Sequence, residues 1–249
     1  MMKFQTVQSS AFKTIFDVLK DILNDFNIVF TKEGLHILSM DSVRVSIVEV
    51  NLAASEFEEY VCEEDVSVGV NANQLFKLLK PTATNDVLRI SLTESHTLEI
   101  LINKSDSKTT TRWNYRLLDV NLDNYVIPDL TPVAVWSTNS ADLQKACRDL
   151  SHVGTELVIT REPGLISFMV NNSDFSPGGL THDIENDEYT GDRLQDTFLL
   201  KYINLFLKAQ AMSINCNIYH FGAGMPLLIE YFVASLGKLK FYLAPKISD

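Results

Sequence analysis

Basic side chains recur at helical spacing in four segments of the sequence. Lys13 and Lys20 lie seven residues apart, and so do Lys201 and Lys208. Residues at such spacings share one face of a helix, and cations there can neutralise phosphates without reading bases, which gives salt-dependent attraction to nucleic acid. The spacing predicts one phosphate-binding surface made of Lys13, Lys20, Lys77, Lys80, Lys145, Arg148, His152, Lys201 and Lys208.

The distribution of charge supports such a surface. The chain has 249 residues and a formal net charge of −11, which taken alone argues against nucleic acid as a partner. The four helical segments, however, hold eight Lys or Arg against four Asp, so they carry +4 and leave −15 on the rest of the chain. A positive helical surface on a negative body would engage duplex DNA through that surface alone. The alternative, that these cations only solvate exposed helix faces, stays open.

The motifs of catalysis and metal binding do not occur in the sequence. We find no GxxxxGK[ST] or GxGxxG phosphate loop and no GxSxG nucleophile elbow. Cys62, Cys147 and Cys216 lie far apart, and the five histidines show no ligand spacing. We therefore expect no enzymatic activity, no cofactor and no metal, with reduced thiols in a cytosolic or nuclear compartment and no membrane segment.

A weak internal repeat divides the chain into halves about 130 residues apart. Ser10-Ala11-Phe12 has its counterpart in Ser140-Ala141-Asp142, and Glu33-Gly34-Leu35 in Pro163-Gly164-Leu165. Each half shows a strand, a long helix, several strands, a short helix and further strands. We expect an α+β fold with helices on one face of antiparallel sheets, with Ser9 or Ser10 capping a first helix that reaches about Asn24. The alternative to a repeat is that these short segments are similar by chance.

The predicted domains are 1–117 and 132–249, joined by a connector over 118–131. The connector is rich in turn formers, yet it also carries Leu122, Tyr125, Val126 and Ile127. Because a contiguous exposed apolar stretch usually marks a binding site, we expect another surface or a partner to cover it.

Several longer sequence motifs resemble those of one known family. They are Leu38-Ser39-Met40-Asp41-Ser42, the pair Gly69-Val70-Asn71 and Lys77-Leu78-Leu79-Lys80, then Cys147-Arg148-Asp149-Leu150-Ser151-His152, and the ending Leu239 to Ile247. In this order they resemble proliferating cell nuclear antigen, the eukaryotic-type DNA sliding clamp, over essentially the whole chain.

The resemblance implies a ring of three identical subunits, each with two similar clamp domains, sheets outside and helices lining the hole. It implies a processivity factor in the nucleus, or at a cytoplasmic replication site if viral, that encircles double-stranded DNA. Its partners would be DNA polymerase, the clamp loader and other replication and DNA repair proteins that bear a short motif. The groove for that motif would be formed by Met40, Arg44, Val45, Tyr125, Ile127, Pro128, Pro226, Tyr242, Ala244, Pro245 and Ile247.

Ring closure is expected at two edge strands. The β-prone stretch Thr109 to Arg116 would pair with the strand near Leu180 to Ile184 of the next subunit, because uncovered strand edges promote aggregation. The interface residues would be Trp113, Tyr115, Leu180 and His182. A clamp-like subunit of a hetero-oligomeric damage-signalling ring is the alternative function.

Overall fold

A computed structural model describes residues 1–93, 96–121, 125–171, 176–184, 187 and 189–247. Within them the chain forms seventeen β-strands and four α-helices, which confirms the expected α+β class. The chain divides into two compact units: unit 1 comprises residues 1–126 and 232–240, and unit 2 comprises 127–231 and 241–249. The exact domain limits of the sequence stay a prediction, and residues 122–124 of the connector lie outside the described residues.

The first half of the chain contains eleven of these elements. They are β1 (Met2–Thr6), α1 (Ser9–Leu19), β2 (Asp25–Phe30), β3 (Gly34–Met40), β4 (Ser46–Ala53), β5 (Glu59–Cys62), β6 (Val66–Asn71), α2 (Ala72–Leu79), β7 (Val87–Thr93), β8 (Thr97–Asn103) and β9 (Thr110–Arg116).

The second half repeats the same order without a counterpart of β5 among the described residues. Its elements are β10 (Ala134–Asn139), α3 (Ser140–Leu150), β11 (Glu156–Glu162), β12 (Leu165–Val170), β13 (Gly178–Asp183), β14 (Leu194–Leu199), α4 (Leu200–Phe206), β15 (Asn215–His220), β16 (Leu227–Val233) and β17 (Gly237–Leu243).

In unit 1 the strands form an antiparallel sheet in the order β5-β1-β7-β8-β9 and a second series in the order β4-β3-β2-β6. Alternate residues are buried in β1, β2, β4 and β8, and in β8 these residues, Leu98, Ile100 and Ile102, face the core. The first half of β17 belongs to this unit and lies beside β4. The Ala53 N–H donates to the Leu236 carbonyl (2.9 Å) just before β17 begins.

Unit 2 is built on the same plan. One sheet has the order β13-β12-β11-β14, and β10, β15, β16 and β17 are neighbours in that order in the other, with residues 232–240 of the last hairpin assigned to unit 1. Strands β9 and β13 each end a sheet, so each has one edge without a neighbouring strand in the described part of the chain. The predicted repeat therefore appears as a repeated order of elements.

One face of each helix packs on the core of its own unit. Helix α1 buries Phe12, Ile15, Phe16 and Leu19, and α1 packs against α2. In unit 2, α3 packs against α4 and against the short 3₁₀ turn Leu207–Ala211 that follows it. The helices carry cations on their remaining faces, because the apolar residues at i, i+3 and i+4 occupy the buried side.

The expected boundaries of the first helix are wrong. Helix α1 ends at Leu19 and its N-cap is Gln8, whose side chain makes no capping bond. Ser9 is fully buried and its hydroxyl donates to the Asp86 carbonyl (2.7 Å), so it ties the helix to the loop before β7 instead of capping it.

Within the described part of the chain, no helix combines the length and hydropathy that crossing a membrane requires. Nor do the described residues bring three or more His, Cys, Asp or Glu side chains together as a possible metal site.

All three cysteines are free and buried. Burial raises the pKa of the Cys147 thiol to about 12 and also raises that of Cys216. The folded state keeps each thiol protonated to a higher pH than the unfolded state does. Thiol ionisation therefore does not reduce the free energy of unfolding below the pKa of the unfolded thiol, and it reduces that free energy as pH rises from there through the pKa of the folded thiol.

We expect Cys147 and Cys216 of the folded protein to resist iodoacetamide at about pH 8, because alkylation requires an accessible thiolate. Mass spectrometry of tryptic peptides should show both residues unmodified without denaturant and all three cysteines modified in guanidinium chloride. Rapid alkylation of Cys147 under native conditions would contradict its burial.

Candidate nucleic-acid interface

The nine predicted cations all lie on helices or in the turns that follow them. In unit 1, Lys13 is on α1 and Lys77 on α2, and Lys20 and Lys80 directly follow those helices. In unit 2 the cations occupy the corresponding places: Lys145 and Arg148 on α3, His152 after it, Lys201 on α4 and Lys208 in the 3₁₀ turn.

Most of these cations reach solvent. All are exposed except Lys13 and Lys20, which are half-buried. Lys77, Lys80 and Lys145 form no ion pair with any residue that the structure describes, so their charges are available to an anion. The helices of each unit pack against each other, α1 on α2 and α3 on α4, so the helices that carry the cations are neighbours within their unit.

Lys20 differs from the other cations. Its ammonium pairs with Asp17 and lies 3.7 Å from Asp21, so two carboxylates compensate its charge. It also lies 4.4 Å from the centroid of the Phe76 ring. A phosphate would have to compete with both carboxylates, which makes Lys20 a weaker candidate than Lys77, Lys80 and Lys145. Lys13 instead donates to the Thr82 carbonyl (2.6 Å), a contact that leaves its charge uncompensated.

The loop between β3 and β4 is organised by a residue that we did not predict as part of the site. The Asp41 carboxylate is buried and accepts the N–H groups of Val45 (2.8 Å) and Ser46 (2.6 Å). Arg44 N–H donates to the Asp41 carbonyl (3.0 Å), and Arg44 adopts a left-handed φ of +60°. Asp41 therefore fixes the turn that presents Arg44 and Val45 at the surface. Its signal in the sequence is an acid that follows an apolar strand and precedes Ser42.

The remaining predicted groove residues are also at the surface. None of the eleven is buried: Arg44, Pro128, Ala244 and Ile247 are exposed and the other seven are half-buried. In unit 2 the chain end is held in place, because Lys246 N–H donates to the Thr197 carbonyl (2.7 Å) and its ammonium pairs with Glu156 (2.6 Å).

The start of the connector is anchored on unit 1. Leu118 N–H donates to the Gly69 carbonyl (2.9 Å), and the Asn27 side chain donates to the Val120 carbonyl (3.2 Å). A Cβ at Gly69 would lie 2.3 Å from the Leu118 carbonyl oxygen, so only glycine permits this approach. Val126, near the middle of the connector, is 86% exposed.

The four predicted interface residues differ in their exposure to solvent. Trp113 on β9 is 38% exposed, whereas Tyr115 is buried in unit 1, where its phenol oxygen accepts the Asn71 N–H (2.9 Å). Trp113 is therefore the aromatic side chain that this edge presents, and Tyr115 supports the strand from inside. On β13, Leu180 is half-buried and His182 exposed.

The edge strand β13 borders an open cleft of about 450 Å³ between its sheet and helix α3. Leu180 and His182 pair with Phe168 and Ile166 on β12, and all four residues line the cleft together with Leu143. Directly paired residues point to the same face of a sheet, so the cleft is the uncovered end of the apolar layer below this sheet.

Known protein families match the sequence over residues 1–246. The family model for the N-terminal domain of proliferating cell nuclear antigen matches residues 1–125, and that for its C-terminal domain matches residues 126–246. The chain belongs to the proliferating cell nuclear antigen family. It is also 31% identical over 260 residues to the "Probable DNA polymerase sliding clamp 1" of Paramecium bursaria Chlorella virus 1, covering 100% of this chain and 98% of that protein. The chain is thus a member of a sliding-clamp family with two domains of the family's type.

The cations of this family member should contribute unequally to DNA binding. We expect the double change Lys77→Ala and Lys80→Ala to weaken binding to a linear duplex and to reduce the log–log salt slope by about two, one per lost phosphate contact. Lys20→Ala should change the slope less, because Asp17 and Asp21 already compensate its charge. Fluorescence anisotropy over a range of salt concentrations measures both.

Lys32→Ala is the matched control, because Lys32 is exposed in the turn between β2 and β3 and is not one of the nine predicted cations. An effect of Lys32→Ala as large as that of Lys77→Ala would mean that DNA binding is not confined to the helical surface. A loss of binding to one DNA sequence only would contradict a phosphate-based contact.

Proposed function

We propose that this chain is a homotrimeric sliding clamp that encircles duplex DNA and holds DNA polymerase and other replication proteins on it. It acts as a binding scaffold without catalysis of its own, at the site of DNA replication in the nucleus or, for a viral protein, in the cytoplasm. The observation that carries the proposal is the pair of free strand edges, β9 and β13, whose counterparts in the repeat are paired.

The repeat explains which edges should meet. Strand β17 is the last strand of the second half and lies beside β4, the fourth strand of the first half. Their counterparts are β9 and β13, which have no such neighbour among the residues that the structure describes. If β9 of one copy pairs with β13 of the next, each subunit repeats the contact that it already makes internally. Such a head-to-tail contact closes into a ring when its rotation permits.

The side chains at these edges are suited to that contact. Trp113 is on the same face of its sheet as Ile100, its register partner, and thus on the apolar face. In the paired arrangement its ring would lie next to the cleft beside Leu180 and His182. An indole buried there would cover apolar surface on both copies, and aromatic side chains dominate the energetics of such interfaces.

We expect Trp113→Glu to convert the trimer into monomers, because a buried carboxylate without a partner would oppose the contact. Size-exclusion chromatography with light scattering should give about three times 28.1 kDa for the unchanged chain and a single chain mass for the variant. Phe232→Glu is the matched control: Phe232 is an exposed aromatic residue of β16 that belongs to neither edge.

A trimer that persists in Trp113→Glu would contradict pairing through this edge. A purified wild-type chain that stays monomeric at micromolar concentration would instead favour the alternative, a subunit that assembles only with different clamp-like partners.

Partner proteins would bind through the surface that contains Tyr125, Ile127 and Tyr242. We expect a peptide of the form Gln-x-x-Leu-x-x-Phe-Phe to bind, and Ile127→Ala and Tyr242→Ala to weaken binding by about 1–3 kcal/mol if these side chains are anchors. Titration calorimetry measures the affinities, with Ile214→Ala as the control because Ile214 is 81% exposed and outside the predicted groove. Equal affinities in all variants would place the partner site elsewhere.

A further inference from the structure

The two halves of the chain differ at the strand that opens each of them. In the first half β1 has a neighbour on both sides, β5 and β7. Its counterpart β10 pairs with β15 and ends its sheet, so no strand of the described chain covers its other edge. The stretch between β13 and β14 occupies the place in sequence that β5 occupies in the first half.

Part of that stretch is held on the β11–β12 hairpin. The guanidinium of Arg161, which is 1% exposed, pairs with Asp187. The Asp187 carboxylate also accepts the N–H groups of Gly164 (2.5 Å) and Tyr189 (3.1 Å), and the Tyr189 ring lies 4.7 Å from the Arg161 guanidinium carbon. Breaking a buried ion pair by removing one partner is costly, so this anchor keeps residues 187 and 189 on the hairpin and prevents them from pairing with β10.

The anchored residues and β10 enclose a cleft of about 540 Å³. On one side are Val133 and Val135, which are 52% and 50% exposed. On the other side are Tyr189 and Asp192, together with residues 190 and 191. One wall is therefore an apolar strand edge and the other is fixed by the Arg161 anchor.

The free edge of β10 offers backbone groups as well as side chains. The Ser140 N–H donates to the Ile214 carbonyl (2.8 Å) at the end of the β10–β15 ladder. Because hydrogen bonding alternates along an antiparallel strand, residues an even number of positions from Ser140 bond to β15. The amide and carbonyl groups of Val135 and Ser137 consequently face the free edge.

The negative charge near this edge favours a basic partner segment. Residues 183–196 contain six Asp or Glu and a single basic residue, Arg193. Arg193 pairs with Glu162 (3.3 Å), on the hairpin. Asp192 is exposed at the cleft and forms no ion pair with the described residues, so its charge is not compensated.

We propose that the free edge of β10 and the cleft beside it bind an extended segment of a partner protein in which basic and apolar residues alternate. The segment adds as a strand through the backbone of Val135 and Ser137, its apolar side chains cover Val133 and Val135, and a basic side chain approaches Asp192. This site uses the edge of β10 and not those of β9 and β13, although Ser137 also lines the cleft of about 450 Å³ beside β13.

The test uses the full chain and a fluorescent peptide, Lys-Val-Lys-Val-Lys-Val-Lys. A second peptide, Lys-Pro-Lys-Pro-Lys-Pro-Lys, has the same charge but lacks the N–H groups that strand addition requires. We expect the valine peptide to bind at least about tenfold more tightly in anisotropy titrations and to slow hydrogen exchange at the Val135 and Ser137 amides.

Two variants and a control locate the binding. Val135→Pro removes an N–H that faces away from β15, and Asp192→Lys reverses the charge at the cleft. Each substitution should lower the affinity for the valine peptide at least about fivefold. Asp106→Lys makes the same charge change on an exposed turn of unit 1 and should leave affinity unchanged. If Val135→Pro does not fold, the affinity of Asp192→Lys and the hydrogen exchange of the unchanged chain still show whether the peptide binds at the edge of β10.

Equal binding of the two peptides would overturn the proposal, because it would show attraction to the negative chain as a whole. So would an Asp106→Lys effect as large as that of Asp192→Lys, or bound peptide without protection at Val135 and Ser137.

Discussion

A β-strand at the edge of a sheet has amide and carbonyl groups without partners, and the organisation of this chain depends on how its edges are covered. Inside unit 1 the first half of β17 covers β4, and β5 covers β1. Strands β9, β13 and β10 keep one edge free within the described chain. The proposed ring assigns two of these edges to neighbouring subunits, and the further inference assigns the third to a partner.

The second constraint is the separation of charge. Apolar residues on one side of each helix fix which side packs on the sheets, so the lysines on the other side have to face outward. A chain with a net charge of −11 can thereby present cations on the outer faces of its helices. These cations are not equivalent, because Lys20 is compensated by two aspartates while Lys77 and Lys80 have no such partner among the described residues. Contact with phosphate should therefore depend on the uncompensated positions.

Buried acids set the geometry of two surface loops in the same way. Asp41 accepts backbone N–H groups and fixes the turn at Arg44, and Asp187 accepts backbone N–H groups while it pairs with Arg161. Each carboxylate is largely withdrawn from water, so it has to be satisfied by nearby donors. Each loop is therefore held by hydrogen bonds between its own backbone and a buried carboxylate.

The sequence by itself determined the α+β class, the repeat, four helices and the position of every predicted cation on a helix or in the turn after it, because these features follow from local periodicity and from short sequence motifs. It misplaced the cap at the start of α1, since Ser9 is engaged by Asp86, a residue 77 positions away. Only the tertiary structure decided that Tyr115 is internal while Trp113 is exposed, that Lys20 is compensated, and that no described strand takes the place beside β10 that β5 takes beside β1. Each of these depends on contacts between residues distant in the chain, about which local patterns carry no information.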